Sequence, residues 1–417
     1  MEYSPFVADL LDRFLRYVRV DTMSNPHITD RRPTTAGQMD LINMVEKELR
    51  EFGLNDVYLD PNGYIIARLP SNLSEGKQCP TIGFMAHVDT ADDVMGNHVK
   101  PRVIECYDGK DIQLNDEFVL SVSDNPELQR YVGQTIITTD GTTLLGADDK
   151  AGLAIIMAVA RKLSQNPDIK HGEIELIITT DEETGSGMDF FPIDTCRSKC
   201  CYTLDGDRLG MVEAECFNAA TVEIDFHGVP FHLGAARGKM VNSVTMATLF
   251  IASLPQAESP EATDGRYGYY CAHEIHGTAE KTHLIVYLRD FDIDRLQQRI
   301  DTLKQLAKTV EMVYLGGKVE INDKIVYRNM YNEIKKHPEV MEAIFVGAEK
   351  LQLELEEKVI RGGTDGARLA ELGIPAPNLF TGGHNYHSRF EWAALSTMET
   401  AAQLVEQIIA YWKGVSI

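Results

Sequence analysis

Between residues 220 and 327, six predicted segments follow one another in the order strand, helix, strand, strand, helix, strand, and few folds accommodate that order. Alternating apolar and polar residues predict the strands, and apolar residues at helical spacing predict the helices. The six segments read ATVEIDFHG, KMVNSVTMATLFIASL, YYCAHEIHG, THLIVYLRDFD, DRLQQRIDTLKQLAKTVEMV and KVEINDKIVY. This βαββαβ order is typical of a split ferredoxin-like unit, so we expect a self-contained domain here.

The sequence on both sides of this stretch predicts an α/β domain. The predicted helices cover residues 6–20, 38–49, 150–163 and 395–412, and the predicted strands cover residues 63–70, 81–87, 173–180 and 201–206. A hairpin is expected over residues 134–148, around the turn Asp140-Gly141. Because 417 residues exceed the size of one hydrophobic core, we expect a first domain formed by residues 1–216 and 328–417, with residues 217–327 inserted.

Composition excludes several classes of protein. Hydrophobic residues make up 44% and charged residues 25% of the chain, and no apolar run approaches the roughly 18 residues that a membrane span needs. The net charge of −23 repels nucleic acid. Seven irregularly spaced cysteines do not indicate a disulfide framework, and the cysteines of CRSKCC (196–201) lack the partner cluster of a zinc site. With no signal-peptide pattern at the start, we expect a cytoplasmic protein.

Acidic residues and histidines recur just after predicted strands. The residues in these positions are His87, Asp148, Glu182, Glu183 and Asp205. Each has an ordinary explanation by itself, as a hydrogen-bonded pair or a charged turn, and His387 lies in a glycine-rich loop. However, ligands of open α/β sheets bind beyond the carboxyl ends of the strands. Imidazoles together with clustered carboxylates favour a zinc-type site over calcium, which takes oxygen ligands.

The segment LLGADDKAG (144–152) supports a metal site, because it places two acids directly after an apolar run that we expect to be buried. A buried carboxylate is costly unless a counter-charge or a metal ion compensates it. We therefore expect a positive charge, supplied by a metal, next to Asp148.

Six motifs resemble the co-catalytic zinc peptidases of the M20 family, in the same order and over nearly the whole chain. They are GFMAHVDT, LLGADDKAG, TTDEETGSG, YTLDGD, RGGTDGARL and NLFTGGHNYHSRFEW. The resemblance implies a zinc-peptidase-type catalytic domain with the βαββαβ domain inserted as a lid. It also implies that Asp148 bridges two zinc ions, with His87 and Asp205 completing one site and Glu183 and His387 the other. Three carboxylates and a bridging hydroxide would neutralise two divalent cations, among which cobalt and manganese are alternatives to zinc.

The same resemblance implies the catalytic roles. Asp89 is expected to orient the His87 ring, and Glu182 to act as the general base. A cis peptide bond is expected between Asp148 and Asp149. The implied reaction is metal-dependent removal of the N-terminal residue from tripeptides, by a water molecule that the zinc pair activates.

The expected substrate contacts lie mostly in the inserted domain. Arg289 matches a clamp for the peptide carboxylate, because a guanidinium binds both oxygens at once. His232 and Asn242 correspond to residues that reach the oxyanion, although Leu233 stands where the family pattern has proline. The loop after Arg361 is a second candidate for holding a carboxylate. In dimeric relatives the histidine that corresponds to His232 comes from the neighbouring subunit. The resemblance therefore allows a homodimer through the inserted domain, and the sequence leaves monomer and dimer both open.

Other functions remain open at this point. Related chains act as dipeptidases, carboxypeptidases or N-acyl amino acid deacylases, with the same metals and a different acyl group. A peptide-binding or metal-binding protein without catalysis is an alternative from another class, but it has no need of Glu182 beside a complete ligand set.

Overall fold

The computed structural model describes residues 2–74 and 76–415, which divide into two compact units. Unit 1 comprises the described residues up to Ala214, Asn332–Lys358 and the described residues from Thr364 onward. Unit 2 comprises Glu215–Tyr331 and Val359–Gly363. Each unit has its own hydrophobic core.

The elements are numbered along the chain. The α-helices are α1 (Pro5–Tyr17), α2 (Ala36–Glu51), α3 (Ala147–Gln165), α4 (Ser243–Ala252), α5 (Ile293–Val313), α6 (Tyr331–Ile334), α7 (Pro338–Leu351), α8 (Asp365–Glu371) and α9 (Leu395–Trp412). The strands are β1 (Asp56–Leu59), β2 (Ile65–Leu69), β3 (Ile82–His87), β4 (Arg102–Ile104), β5 (Ile112–Gln113), β6 (Val119–Leu120), β7 (Ile136–Thr138), β8 (Ile174–Thr179), β9 (Cys200–Gly206), β10 (Met211–Cys216), β11 (Asn218–His227), β12 (Tyr269–Gly277), β13 (Lys281–Asp290), β14 (Lys318–Tyr327), β15 (Glu356–Ile360), β16 (Asn378–Phe380), β17 (Gly383–His384) and β18 (Trp392–Ala394). Among the described helices, none combines the length and the apolarity needed to cross a bilayer.

An eight-stranded sheet organises unit 1, with the strand order β1-β2-β8-β3-β9-β16-β10-β15. Strands β8, β3 and β9 are parallel neighbours in its centre, where every residue of β3 and β8 is buried. Such continuous apolar runs are typical of strands that are covered on both faces. The parallel arrangement brings the carboxyl ends of these three strands to one edge of the sheet.

Helix α3 packs closely against the central strands. Almost all of its residues are buried, and a Cβ atom at Gly152 would overlap the Leu204 carbonyl oxygen of β9. Glycine is therefore required for this approach of helix to strand. The backbone of α3 is not helical at Asp148 and Asp149, so the regular helix begins after them.

The predicted hairpin over residues 134–148 is wrong. Its first strand exists as β7, but β7 pairs with β18 and β4, and the segment after the turn at Gly141 forms no strand. The physical reason is that the amide groups of the second half have other partners: the Leu144 N–H donates to the Met95 carbonyl, and the next two donate to the Glu391 carboxylate.

Unit 2 has the element order β11-α4-β12-β13-α5-β14, which is βαββαβ. Its antiparallel sheet has the strand order β12-β13-β11-β14, and α4 and α5 bury their apolar residues against one face. The segment Val359–Gly363 also packs in unit 2, whereas the sequence analysis placed it in the first domain. The Phe217 N–H donates to the Ile360 carbonyl (3.2 Å), which ties this segment to the beginning of β11.

Candidate metal centre

The predicted ligands of unit 1 lie where the sheet places them. His87 is the last residue of β3, Asp205 lies near the end of β9, and Glu183 follows β8 in a short 3-10 turn. Because these strands are parallel neighbours, their ends meet at one edge. Asp148 lies at the start of α3, and His387 lies in the loop between β17 and β18.

Asp148 lies at the centre of the cluster. Its Oδ1 atom is 3.0 Å from His87 Nε2, and its Oδ2 atom is 3.4 Å from His387 Nε2. His87 Nε2 is also 3.6 Å from Asp205 Oδ1, and His387 Nε2 is 3.1 Å from Glu183 Oε2. The two carboxylate oxygens of Asp148 therefore face two different histidines, each of which has a further acid beside it.

Each histidine directs its other ring nitrogen at a second carboxylate. His87 Nδ1 lies 3.3 Å from Asp89 Oδ1, and His387 Nδ1 lies 3.1 Å from Asp93 Oδ2. Carboxylate contacts of this kind fix the orientation of a histidine ring and leave its other nitrogen free to bind a metal. The orienting role expected of Asp89 stays a prediction.

Asp89 also holds the segment that follows β8. Its Oδ1 atom accepts a hydrogen bond from the Glu182 N–H (3.0 Å), and its Oδ2 atom accepts one from the Glu183 N–H (3.1 Å). Since Asp89 is fully buried, this carboxylate fixes the backbone of both glutamates relative to His87.

The pKa values of the cluster reflect burial and the charges that its members place on one another. Burial and the Asp148 charge raise the pKa of Glu183 to about 7 and that of Asp205 to about 7. Burial raises the pKa of Glu182 well above its ordinary value. Contacts with Asp148 and Glu183 raise the pKa of His387 to about 11. Burial also raises the pKa of the Asp148 carboxyl, but its contacts with His387 and His87 outweigh this effect and lower it.

The donor atoms fit divalent cations. Two sets of three residues each offer ligand atoms that lie within 4.8 Å of one another. One set is His87, Asp148 and Glu183, and the other is His87, Asp149 and Asp205. Among the described residues, buried Glu183 Oε1 has no hydrogen-bond partner. An orphaned carboxylate oxygen beside imidazole nitrogens is compensated when a cation binds between them.

Residues 139–411 of the chain match the model of peptidase family M20/M25/M40. A peptidase T of Bacillus licheniformis is 44% identical over 402 residues, which cover 96% of this chain and 97% of the relative. A peptidase T of Listeria welshimeri is 45% identical over 402 residues, with the same coverage of 96% and 97%. The chain belongs to peptidase family M20/M25/M40.

A solved structure supports this assignment. The aminopeptidase PepT of Bacillus cereus is 25% identical, with a TM-score of 0.76, and the match covers 97% of this chain and 98% of that chain. The predicted resemblance to the M20 family and the predicted α/β fold are confirmed, and with them the prediction that the chain is a hydrolase.

The cis peptide bond predicted between Asp148 and Asp149 of this M20 peptidase is present. The Asp149 side chain accepts hydrogen bonds from the His87 N–H (3.3 Å) and the Gly152 N–H (3.2 Å). These bonds join the end of β3 to the start of α3, next to the cluster.

Three acids without a predicted role also contact His387 or the chain segments that carry residues of the cluster. They are Asp93, Asp181 and Glu391. Asp181 is fully buried and accepts hydrogen bonds from the Thr34 N–H (2.9 Å) and Gln38 Nε2 (2.7 Å), which attaches the start of α2 to the turn that carries Glu182. The Thr34 hydroxyl also donates to Asp181.

The predicted substrate residues lie in unit 2. Asn242 is the N-cap of α4, where its Oδ1 atom accepts a hydrogen bond from the Val244 N–H (2.9 Å), and His232 lies exposed in the loop before α4. Leu233 is 80% exposed. The exposed His232 imidazole is accessible to a ligand.

The two predicted arginines have different surroundings within unit 2. Arg289 lies over the rings of Tyr287 (5.4 Å) and Tyr327 (5.7 Å), and its Nη1 atom donates to the Leu288 carbonyl (3.0 Å). Both terminal nitrogens of Arg361 donate to the loop 263–267. Arg361 thus holds this loop in place, and its contact with a substrate carboxylate stays a prediction.

Proposed function

We propose that this M20 peptidase is a metal-dependent aminopeptidase that removes the N-terminal residue from tripeptides. The observation that carries the proposal is the arrangement around Asp148, whose two oxygens face two histidines with an acid beside each. The similar solved structure is that of an aminopeptidase, which supports cleavage at the N-terminal end of a peptide.

The proposed resident metals are two zinc ions. Asp148 would be shared by both, with His87 and Asp205 holding one and Glu183 and His387 the other. Two imidazole and three carboxylate donors suit zinc, and manganese and cobalt ions can occupy the same donors. When bound, such a pair of cations supplies Lewis acidity, which polarises the peptide carbonyl and makes a water molecule more acidic.

Glu182 is the proposed general base. Its side-chain carboxylate takes a proton from the attacking water and later delivers it to the amine of the leaving product. Burial raises the pKa of Glu182 well above the ordinary value, which makes its carboxylate a stronger base toward the attacking water. Asp89 holds the Glu182 backbone and the His87 ring, so the base and the ligand are positioned by one buried carboxylate.

Unit 2 is the proposed lid, and its residues would bind the substrate. Arg289 pairs with the carboxylate of the tripeptide, and two flanking tyrosine rings restrain its guanidinium. His232 and Asn242 are proposed to stabilise the negative charge that develops on the scissile carbonyl oxygen. If the enzyme binds the N-terminal end and the carboxylate of the peptide at a fixed distance from each other, it would select peptides of three residues.

We also propose a homodimer through unit 2, in a cytoplasmic enzyme. Strand β12 is an edge strand of its sheet, and residues 272–277 are exposed along it. Unpaired edge strands are open to pairing with another chain. The seven cysteines are all free thiols, which fits a reducing compartment.

Peptide hydrolysis with defined substrates tests the function. The purified enzyme is supplied with zinc and a panel of dipeptides, tripeptides, tetrapeptides and N-acyl amino acids, with and without a chelator. We expect release of the N-terminal amino acid from tripeptides, which stops with chelator and falls roughly 10²–10⁴-fold in Glu182→Gln, the usual contribution of a group that transfers a proton. Preference for N-acyl amino acids or dipeptides would replace the proposal with one of those activities.

A further inference from the structure

One buried carboxylate binds the whole segment that leads to Asp148. Glu391 is 1% exposed. Its Oε2 atom accepts hydrogen bonds from the Leu145 N–H (2.7 Å) and the Gly146 N–H (2.8 Å), and its Oε1 atom accepts them from the Ala147 N–H (2.7 Å) and the Asp148 N–H (3.2 Å). Four consecutive amide groups therefore converge on one side chain.

These amide groups have no regular alternative in this conformation. Gly146 has a φ of +81°, which interrupts any strand, and it stands at the N-cap of α3 without a capping side chain. The regular helix of α3 begins after Asp149, so the amide groups of residues 145–148 lie before it and have no carbonyl partner within it. Glu391 is the acceptor for these amide groups, from a position 243–246 residues away along the chain.

The backbone of Glu391 lies directly before a strand of the sheet formed by β17, β18, β7 and β4. Glu391 immediately precedes β18, where Trp392 pairs with Thr138 of β7 and with His384 of β17. His387, the proposed ligand facing Asp148 Oδ2, lies four residues before Glu391. One residue thus joins the two chain segments that carry Asp148 and His387, although these segments are far apart in the sequence.

We propose that Glu391 is a positioning residue of the metal centre, which sets the Asp148 carboxylate so that its two oxygens face separate cations. The inference rests on the proposed metal site. The hydrogen bonds that the Glu391 carboxylate accepts come from the backbone of residues 145–148, so it acts on Asp148 through the backbone. Fixing the backbone of a ligand reduces the conformational entropy that metal binding must overcome, and partners of ligands typically contribute roughly 10–100-fold to metal affinity.

Zinc binding by the apoprotein of Glu391→Gln tests this role. The amide keeps the size of the side chain but has one acceptor oxygen, so its NH₂ group faces two backbone donors. We expect the dissociation constant of at least one of the two zinc ions to rise about 10–100-fold in a competition titration against a chromophoric chelator. Loading with cobalt, whose visible absorption reports ligand geometry, should give an altered spectrum.

Glu175→Gln is the matched control. Glu175 is also a fully buried carboxylate of unit 1, at the start of β8, and accepts hydrogen bonds from the Arg197 N–H (2.9 Å), the Ser198 N–H (2.8 Å) and the Ser198 hydroxyl (2.6 Å). Both variants should lower the melting temperature of the apoprotein. Only Glu391→Gln should weaken zinc binding, while Glu175→Gln binds two zinc ions as the wild type does.

The outcomes separate this inference from the proposed function. Wild-type affinity and a wild-type cobalt spectrum in Glu391→Gln would overturn the positioning role, because Glu391 would then serve stability alone. Absence of zinc binding in the wild type would instead defeat the proposed metal site. If Glu391→Gln does not fold, Glu391→Asp decides by the same titration, since it keeps the charge but shortens the reach to the four amide groups.

Discussion

The carboxylates of Asp89 and Asp93, which contact the two proposed histidine ligands, differ in burial. This difference predicts how much each contributes to zinc binding. Asp89 is fully buried and binds two backbone amide groups, whereas the side chain of Asp93 is 60% exposed. An exposed ion pair contributes about 0–1 kcal/mol, because water already solvates both partners. A buried partner of a ligand has no such replacement.

Asp89→Asn should therefore lower zinc affinity or kcat/KM by roughly 10–100-fold, and Asp93→Asn by less than about fivefold. Zinc titration of the apoproteins and peptide kinetics at saturating zinc measure the two effects. Comparable losses in the two variants would contradict the argument from burial.

From the surroundings of Arg289 we expect the enzyme to select peptides with a free C-terminal carboxylate. Its guanidinium is restrained over Tyr287 and Tyr327, so little further ordering is needed when a carboxylate binds. Arg289→Ala should raise KM at least tenfold for tripeptides with a free carboxylate and leave KM for the corresponding tripeptide amides nearly unchanged. Equal losses for acids and amides would assign Arg289 to structure rather than to substrate binding.

The residues that sequence patterns predict in this site are those with a local signal. His87 and Asp205 lie at the ends of strands and Glu183 follows one, and the strands could be recognised from their apolar runs. Glu391 is an acid beside an apolar strand, which is a weak signal, and its partners are more than 240 residues away. Such contacts depend on how β18 and α3 pack, which the pattern within either element does not contain.

At the scale of elements, the contact between α3 and β9 sets the distance between Asp148 and Asp205. Gly152 allows this contact, since a Cβ atom there would meet the backbone of Leu204. The βαββαβ order of unit 2 was recognisable because each of its elements has a clear period. The hairpin predicted over residues 134–148 does not form, because the carboxylate of Glu391 accepts hydrogen bonds from amide groups that a second strand would need.

Gly152→Ala should destabilise unit 1 by about 1–3 kcal/mol or more, because the obstacle is backbone that cannot rotate away. Gly362→Ala is the control, since its added Cβ would meet only Ile360 Cγ2, at 3.9 Å. Unfolding in urea, followed by circular dichroism, which reports the helices of both units, measures the difference. A Gly152→Ala variant as stable as Gly362→Ala would show that helix and strand separate without cost.

At the scale of the whole molecule, the two units have separate hydrophobic cores, and all the proposed zinc ligands belong to unit 1. A ligand stabilises the folded state that binds it, by about 2.7 kcal/mol when its free concentration is 100 times the dissociation constant. Zinc should therefore stabilise unit 1 directly. Unit 2 contains none of the proposed ligands.

The two tryptophans allow this to be measured, because both Trp392 and Trp412 belong to unit 1. We expect chelation to lower the midpoint of thermal unfolding followed by tryptophan fluorescence, and zinc to restore it. Circular dichroism also reports the helices of unit 2. A transition that is seen by circular dichroism but not by fluorescence should therefore have the same midpoint with chelator and with zinc. In His387→Ala, which lacks one proposed ligand, zinc should raise the fluorescence midpoint less than in the wild type. A fluorescence midpoint that zinc does not change in the wild type would contradict the assignment of the metal centre to unit 1.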